Sequence, residues 1–303
     1  MNKKQIYFNG FAKPFVKWAG GKQQLLNEID LILPSCFSEK NGITYIEPFV
    51  GGGATLFWIL QKYPNITHAI INDINSDLIN TYNIIKHSPE DLIDCLQVIQ
   101  REYLSLTEEG RKEYYLSKRD TYNQLNKKSP LSQAALFIFL NRTCYNGLYR
   151  VNSNGLFNVP FGRYHNPTIC DSATILADSK ILQNVVIMCG DFSETLQYAT
   201  SDALFYFDPP YKSINSDLSF NSYSAFKFND DDQIRLRDFC TQVSGKGSSF
   251  ILSNSDLKNT QPDNDFFDTI YEKFNIKRVS AHRMINSNSS KRGKIYELMV
   301  SNC

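Results

Sequence analysis

The sequence predicts an α/β fold: an open, largely parallel sheet whose strands end in ligand-binding loops, interrupted by an inserted helical block. Three observations carry that expectation. Short apolar runs stop abruptly at polar or glycine-rich turns, in ITYIEPFVGGG (43–53), AIIND (69–73) and ALFYFDPPYK (203–212). Between Leu78 and about Leu140 the spacing turns helical, with Leu92, Cys95, Leu96 and Ile99 on one face. Strand and helix alternate again from Val185 onward, as they do when a second domain interrupts the first.

Composition bounds the rest. With 303 residues the chain can bury one large core or two modest ones. A hydrophobic share of 42% and a charged share of 21% are those of an ordinary soluble globular protein. No stretch approaches the length of a membrane span, and no signal peptide precedes Lys3 and Lys4, so a cytoplasmic protein is expected. The seven cysteines are scattered without a C-x-x-C pair or a histidine at zinc spacing, which predicts reduced thiols and no metal. Net charge is +1, so any nucleic-acid footprint has to be local.

In chain order, FVKWAGGK (15–22) comes first. Its Gly-Gly turn lets the backbone approach a ligand, and a helix over 23–32 follows directly. Lys22 opposes the dipole of that helix, which makes sense if it neutralises a ligand carboxylate held by the same N–H groups. Trp18 would pack on that ligand or join the core.

ITYIEPFVGGGATL (43–56) reads as strand, glycine loop and helix. Gly51, Gly52 and Gly53 supply the tight turn of a nucleotide-type site. Leu56 stands where the third glycine of a dinucleotide fingerprint belongs, which argues against a dinucleotide without excluding an adenosine-bearing ligand. The next strand delivers Asp73 twenty positions after Gly53, about where an acid meets ribose hydroxyls; a solvated strand-end aspartate is the alternative.

Residues 141–170, NRTCYNGLYRVNSNGLFNVPFGRYHNPTIC, contain no acid but set Arg142, Arg150 and Arg163 among aromatic residues. Asn154-Gly155 predicts a hairpin turn. A basic, aromatic hairpin suits a DNA groove, where arginines reach phosphates or guanine edges. An ordinary exposed loop is the bland reading. Residues 212–232 are polar with spaced aromatic residues and are expected to form a lid, followed by a helix over 233–244 and a strand over 248–253. Residues 274–294 are again free of acid, and 286–292 suit a phosphate backbone. A last strand over 295–300 is expected to pair with its predecessor as an antiparallel hairpin.

ALFYFDPPYK organises the whole. Its apolar run predicts a buried strand, and Pro209 and Pro210, lacking N–H groups, cannot extend the ladder. The oxygens of Asp208 and Pro209 are then available to a pocket at the strand's carboxyl end, with the Tyr211 ring beside them. Two acceptors and one aromatic face suit a flat base bearing an exocyclic amine.

KWAGGK, EPFVGGG with INDIN, the basic hairpin and DPPY stand in an order that resembles the α-group, D12-class, Dam-like N6-adenine-specific DNA methyltransferases, from about Pro14 to Val300. The resemblance implies a class I S-adenosylmethionine-dependent fold: Rossmann-like, with a mixed sheet, a carboxyl-terminal antiparallel hairpin, and an inserted helical target-recognition domain carrying a β-hairpin. It implies a catalytic domain of residues 1–75 and 171–303 and a target-recognition domain of 76–170.

For the cofactor, S-adenosyl-L-methionine, it implies Trp18, Lys22, Gly51, Gly53, Asp73, Asp191, Phe192 and Asp208. Lys22 would take the methionine carboxylate, Asp73 the ribose, and Asp191 with Phe192 the adenine. Asp208, Pro209 and Tyr211 would hold the target adenine. Double-stranded DNA would be met by Lys17, Tyr145, Asn146, Leu148, Arg150, Arg163 and the loop residues Ser290, Lys291 and Arg292. Tyr149 lies where related chains vary.

The implied activity is methyl transfer to N6 of a flipped adenine, with GATC as the leaning, by a monomer on DNA in a bacterial or phage cytoplasm. A sulfonium is already a strong electrophile, so no metal is expected. A methyltransferase of RNA or protein amides would commonly carry Asn-Pro-Pro-Tyr and lack the hairpin, and a non-catalytic DNA-binding module would show eroded cofactor residues. Neither departure is present.

Overall fold

A computed structural model describes residues 11–18, 24–125, 129–212, 228–282 and 294–303, the side chains of 281–282 and 294–295 aside. The chain divides into two compact units. One comprises Met1–Gly21, Gly51–Lys62 and Asn75–Ile187; the other comprises Lys22–Val50, Tyr63–Ile74 and Met188–Cys303. Residues 76–170, expected to form the target-recognition domain, fall inside the first unit together with flanking segments.

The strands are β1 (Ile43–Glu47), β2 (Ile66–Asp73), β3 (Val185–Cys189), β4 (Ala203–Phe207), β5 (Ser249–Ser255), β6 (Asn275–His282) and β7 (Lys294–Ser301). They form one sheet of order β3-β2-β1-β4-β5-β7-β6. β1, β4 and β5 pair in parallel, whereas β7 runs antiparallel to both β5 and β6. This is the mixed sheet of a class I methyltransferase, with its antiparallel pair at one edge. Chain order reverses between β1 and β4, and in open α/β sheets the strand ends at that reversal form the ligand crevice.

All five residues of β4 are buried, as its unbroken apolar run requires of a central strand covered on both faces. Phe205 and Phe207 stack with ring centroids 5.7 Å apart and meet Phe239 edge-on. Each such ring contributes roughly 2–3 kcal/mol by leaving water. Phe239 belongs to α8 (Asp230–Gly245), which begins three residues before the expected start. The reason is a capping box: Asn229 accepts from the Asp232 N–H, and the Asp232 side chain accepts from the Asn229 N–H. The acidic run there starts a helix rather than ending a loop.

Helix α1 (Leu26–Ile32) belongs to the second unit, and among the described residues six α-helices build the first: α2 (Ala54–Lys62), α3 (Ser76–His87), α4 (Pro89–Leu104), α5 (Glu108–Gln124), α6 (Pro130–Thr143) and α7 (Ser172–Leu182). α6 is buried without a break from Gln133 to Asn141, because α3, α4 and α5 all pack around it. Segment 11–18 is bound into this unit by side chains far along the chain. The Lys13 N–H donates to Asp178 of α7 at 3.0 Å, and Arg142 of α6 donates to the Phe15 carbonyl at 2.7 Å.

The hairpin within 141–170 is present but irregular. Instead of continuous strands it has two antiparallel bridges, Cys144 with Phe161 and Val151 with Phe157. A single 3-10 turn over Tyr145–Gly147 places Asn146 at φ +55°, in the left-handed region that asparagine tolerates.

Candidate active site

Within the second unit, the carboxyl ends of β1, β2 and β4 carry the acidic residues. Glu47 closes β1 almost fully buried and accepts a 2.8 Å hydrogen bond from the Tyr45 hydroxyl. Burial pushes its carboxyl well above the usual range; the Tyr45 bond opposes this, and the charges of Asp208 and Asp73 add to it. At the end of β2, the side chain of buried Asn72 donates to the Pro48 and Gly190 carbonyls at 3.1 and 3.0 Å, while its main-chain carbonyl accepts from the Val50 N–H. One asparagine thereby fixes the loops after β1 and β3 around the position of Asp73. Beside Asp73, Ile74 is 45% exposed, an apolar surface next to an acid.

Asp191 caps the 3-10 turn over Phe192–Tyr198 and pairs with Arg235 at 2.8 Å. Burial alone would raise its pKa, but hydrogen bonds from Ser193 and Arg235 outweigh that and hold it below the usual carboxylate range. Phe192 is buried against Phe49, Phe228 and Phe239, with the Arg235 guanidinium 4.4 Å from its ring centre.

Asp208 directly follows β4. Buried Gln233 donates to the Pro210 carbonyl at 3.2 Å and is itself held by Asn254 at 3.1 Å. That anchors the backbone one residue beyond the proline oxygen expected to receive an amine. The Tyr211 hydroxyl donates to Glu297 of β7 at 2.6 Å. Burial pushes the Tyr211 pKa well up, and the negative charges of Asp208 and Glu297 push it further.

In the first unit, the glycine loop lies against Trp18. A side chain at Gly51 would come within 2.8 Å of the indole, and one at Gly53 within 2.5 Å of the Tyr82 hydroxyl, which donates to the Gly51 carbonyl at 2.9 Å. Gly53 also has φ +77°, so glycine is required there on two counts. Trp18 stacks on Tyr149 at 5.6 Å between ring centres, and the Tyr149 hydroxyl donates to Asp77 at 3.1 Å.

Asn141, a buried residue near the end of α6, ties Lys17 to the turn that carries Tyr145 and Asn146. Asn141 accepts from the Lys17 N–H at 2.8 Å and donates to the Lys17 carbonyl at 2.8 Å and the Gly147 carbonyl at 2.9 Å. Lys17 is thereby set beside the Tyr145–Gly147 turn, and its ammonium lies 4.5 Å from the Tyr164 ring centre. Tyr145 is 55% exposed. Arg150 is tied back to Asn158 by two hydrogen bonds of 2.7 and 3.1 Å, and Arg163 adopts φ +54°. Lys22, Ser290, Lys291, Arg292 and most of the expected lid lie outside the described residues.

Glu47, Asn72, Asn141 and Glu297 were not singled out by sequence. A carboxylate or amide at the end of an apolar run is the signal that Glu47, Asn72 and Asn141 share, whereas Glu297 interrupts one between Tyr296 and Leu298. Among the described residues no group of three or more His, Cys, Asp or Glu side chains is placed to hold a metal, and no helix is long and apolar enough to cross a membrane.

Comparison with known proteins places a family match over this framework. Residues 18–285 match the family described as D12 class N6 adenine-specific DNA methyltransferase. The type II methyltransferase M.MjaIII of Methanocaldococcus jannaschii is 50% identical over 293 residues, covering 96% of this chain and 99% of its own. The type II methyltransferase M1.LlaDCHI of Lactococcus lactis is 40% identical, with 96% and 95% covered. The DNA adenine methylase of Escherichia coli is 32% identical over 288 residues, with 95% and 94% covered.

Proposed function

This chain belongs to the D12 class N6 adenine-specific DNA methyltransferases, and from that premise we propose that it methylates N6 of an adenine flipped out of duplex DNA, within GATC. The observation that carries the reading is Asp208-Pro209-Pro210-Tyr211 at the carboxyl end of β4, beside the reversal of strand order between β1 and β4.

Membership of the family and the fold imply S-adenosylmethionine as methyl donor. The residues present suit it. Asp73 ends β2 where ribose hydroxyls are met, and exposed Ile74 beside it offers a face for adenine. Trp18, Lys22, Gly51, Gly53, Asp73, Asp191, Phe192 and Asp208 are the residues proposed to hold it. When bound, it supplies an electrophilic methyl group.

The chain's own residues then do three things. Asp208 and the Pro209 carbonyl accept hydrogen bonds from the two N6 hydrogens, which enriches an amine otherwise delocalised into the purine and aims its lone pair. Tyr211 stacks on the extruded base and replaces part of the stacking lost from the duplex. Fixing the amine in this way supplies rate through orientation.

Lys17, Tyr145, Asn146, Leu148, Arg150 and Arg163, with Ser290, Lys291 and Arg292, are proposed to contact DNA, with the enzyme acting as a monomer in the cytoplasm. The relatives named type II methyltransferases support a place in restriction–modification. The test is incubation of the purified protein with S-adenosylmethionine and duplexes with or without GATC, followed by mass spectrometry of the nucleosides. N6-methyladenine confined to GATC is expected, and Asp208→Ala abolishes it. C5-methylcytosine, adenine methylation elsewhere, or full activity of Asp208→Ala would refute the reading.

A further inference from the structure

The Asp208 carboxylate is held from behind. The register of β4 on β5 pairs Tyr206 with Ile251 and Phe207 with Leu252, so the next residue, Asp208, falls beside Ser253. Side chains alternate across a sheet, which puts Tyr206, Asp208 and Ser253 on one face. The Ser253 hydroxyl lies 3.2 Å from Asp208 Oδ1, 3.4 Å from the Phe207 carbonyl and 3.0 Å from the Tyr206 hydroxyl. Ser253 is fully buried and Tyr206 is 1% exposed.

A serine hydroxyl has one hydrogen to give and can also accept. Its two acceptors here differ in kind: a carboxylate at the shorter distance, a neutral carbonyl at the longer. A bond to an ionised acceptor is roughly twice as strong as one to a neutral group, so the hydrogen goes to Asp208. The lone pairs of Ser253 then face Tyr206, whose hydroxyl donates. The two O–H dipoles point the same way, with their positive ends toward the carboxylate, and dipoles aligned in this manner strengthen one another.

We propose that Ser253, backed by Tyr206, is a positioning residue for the methyl-transfer reaction: the hydroxyl pair pins Oδ1 of Asp208, so that the carboxylate presents a fixed edge to the adenine amine. The inference rests on the reading of Asp208 given above. A carboxylate turns freely about its terminal torsion unless something holds it, because that torsion has broad wells. Pinning one oxygen on a rigid neighbouring strand sets the direction of the other without occupying it. It also favours the ionised form, since a donor to the charged state lowers a carboxyl pKa.

Single-turnover methylation of a GATC duplex across pH 5–9 tests this, with Ser253→Ala, Tyr206→Phe and Asp208→Ala run beside the wild-type enzyme. Loss of a hydrogen bond to a charged group corresponds to about a ten- to hundredfold change, so Ser253→Ala is expected to lose roughly that factor in the methylation rate. Tyr206→Phe, which keeps the ring and removes only the terminal donor, is expected to lose a few-fold. In both variants DNA and S-adenosylmethionine dissociation constants stay within about twofold, and the acidic limb of the rate profile moves to higher pH. A merely structural role for Ser253 would lower the melting temperature without moving that limb.

If Ser253→Ala fails to fold, Tyr206→Phe decides. Rates within twofold of wild type and an unmoved acidic limb in the folded variants overturn the proposal. The outcome is separable from the parent reading: Asp208→Ala inactive with Ser253→Ala and Tyr206→Phe unimpaired removes the positioning role alone. Full activity of Asp208→Ala removes both.

Discussion

Asp178 offers a test of how segment 11–18 is held. Its side chain is fully buried on α7; one oxygen accepts the Lys13 N–H, and the other has no partner among the described residues. Burial pushes its carboxyl from the ordinary 3.8 up to about 8; the Lys13 bond opposes the shift and nearby Asp171 adds to it. The unfolded chain therefore releases this proton near pH 4, whereas the folded protein keeps it until about pH 8. Unfolding within that window releases a proton, so stability falls as pH rises through it. At about 1.36 kcal/mol per pH unit the span from 3.8 to about 8 sets a ceiling of about 6 kcal/mol, reached if the site stays dry.

Asp178→Asn keeps the shape and the acceptor for Lys13 but cannot ionise. Its amide meets the unpartnered position, at a cost of about 1–3 kcal/mol that does not vary with pH. The two stability profiles are thus expected to cross between pH 4 and 8, with wild type ahead at the acidic end and the variant ahead by several degrees in melting temperature at pH 8. Thermal or urea unfolding in a pH series reads this directly, since every other titrating group cancels in the difference. Parallel profiles from pH 4 to 8 would show that Asp178 does not carry a retained proton.

Two further outcomes follow from the site. Glu297→Ala removes the acceptor of the Tyr211 hydroxyl and is expected to slow methylation by about tenfold, with Glu297→Gln near wild type; 2-aminopurine at the target position reports whether the base is still extruded, and an unimpaired alanine variant would refute the role. Asn141→Ala loses three hydrogen bonds that set Lys17 against the Tyr145–Gly147 turn, and should weaken GATC duplex binding by at least about tenfold in fluorescence anisotropy. Unchanged affinity would show that this arrangement does not serve DNA.

What the sequence disclosed was what neighbouring residues dictate. Five apolar residues before Asp208, stopped by Asp-Pro-Pro, read as a strand covered on both faces, and three glycines after Val50 mark a turn where side chains do not fit. The lid expectation over 230–232 was misplaced for a local reason: three aspartates read as polar loop, while Asn229 and Asp232 were a helix-capping pair. The hairpin turn expected at Asn154-Gly155 is flanked by the Val151–Phe157 bridge, while Asn146 and Gly147, both at positive φ, make a separate turn before it.

The supporting residues were out of reach for a different reason. Ser253 lies 45 positions from Asp208, Glu297 lies 86 from Tyr211, and Asn141 lies 124 from Lys17. Neither periodicity nor spacing encodes separations of that size. Only the order of strands in the sheet, or the wrapping of α6 by its neighbours, brings such pairs to hydrogen-bonding distance.

The tethering of segment 11–18 also sets a timetable for biosynthesis. Lys13 finds its partner 165 residues later in the chain, and Lys17 finds its own 124 later. At elongation rates of roughly 5–20 residues per second, segment 11–18 waits about 10–30 s after leaving the ribosome before its anchors exist. During that interval Phe15, Val16 and Trp18 are exposed together on an unanchored nascent strand, which makes them a natural point of contact for a chaperone.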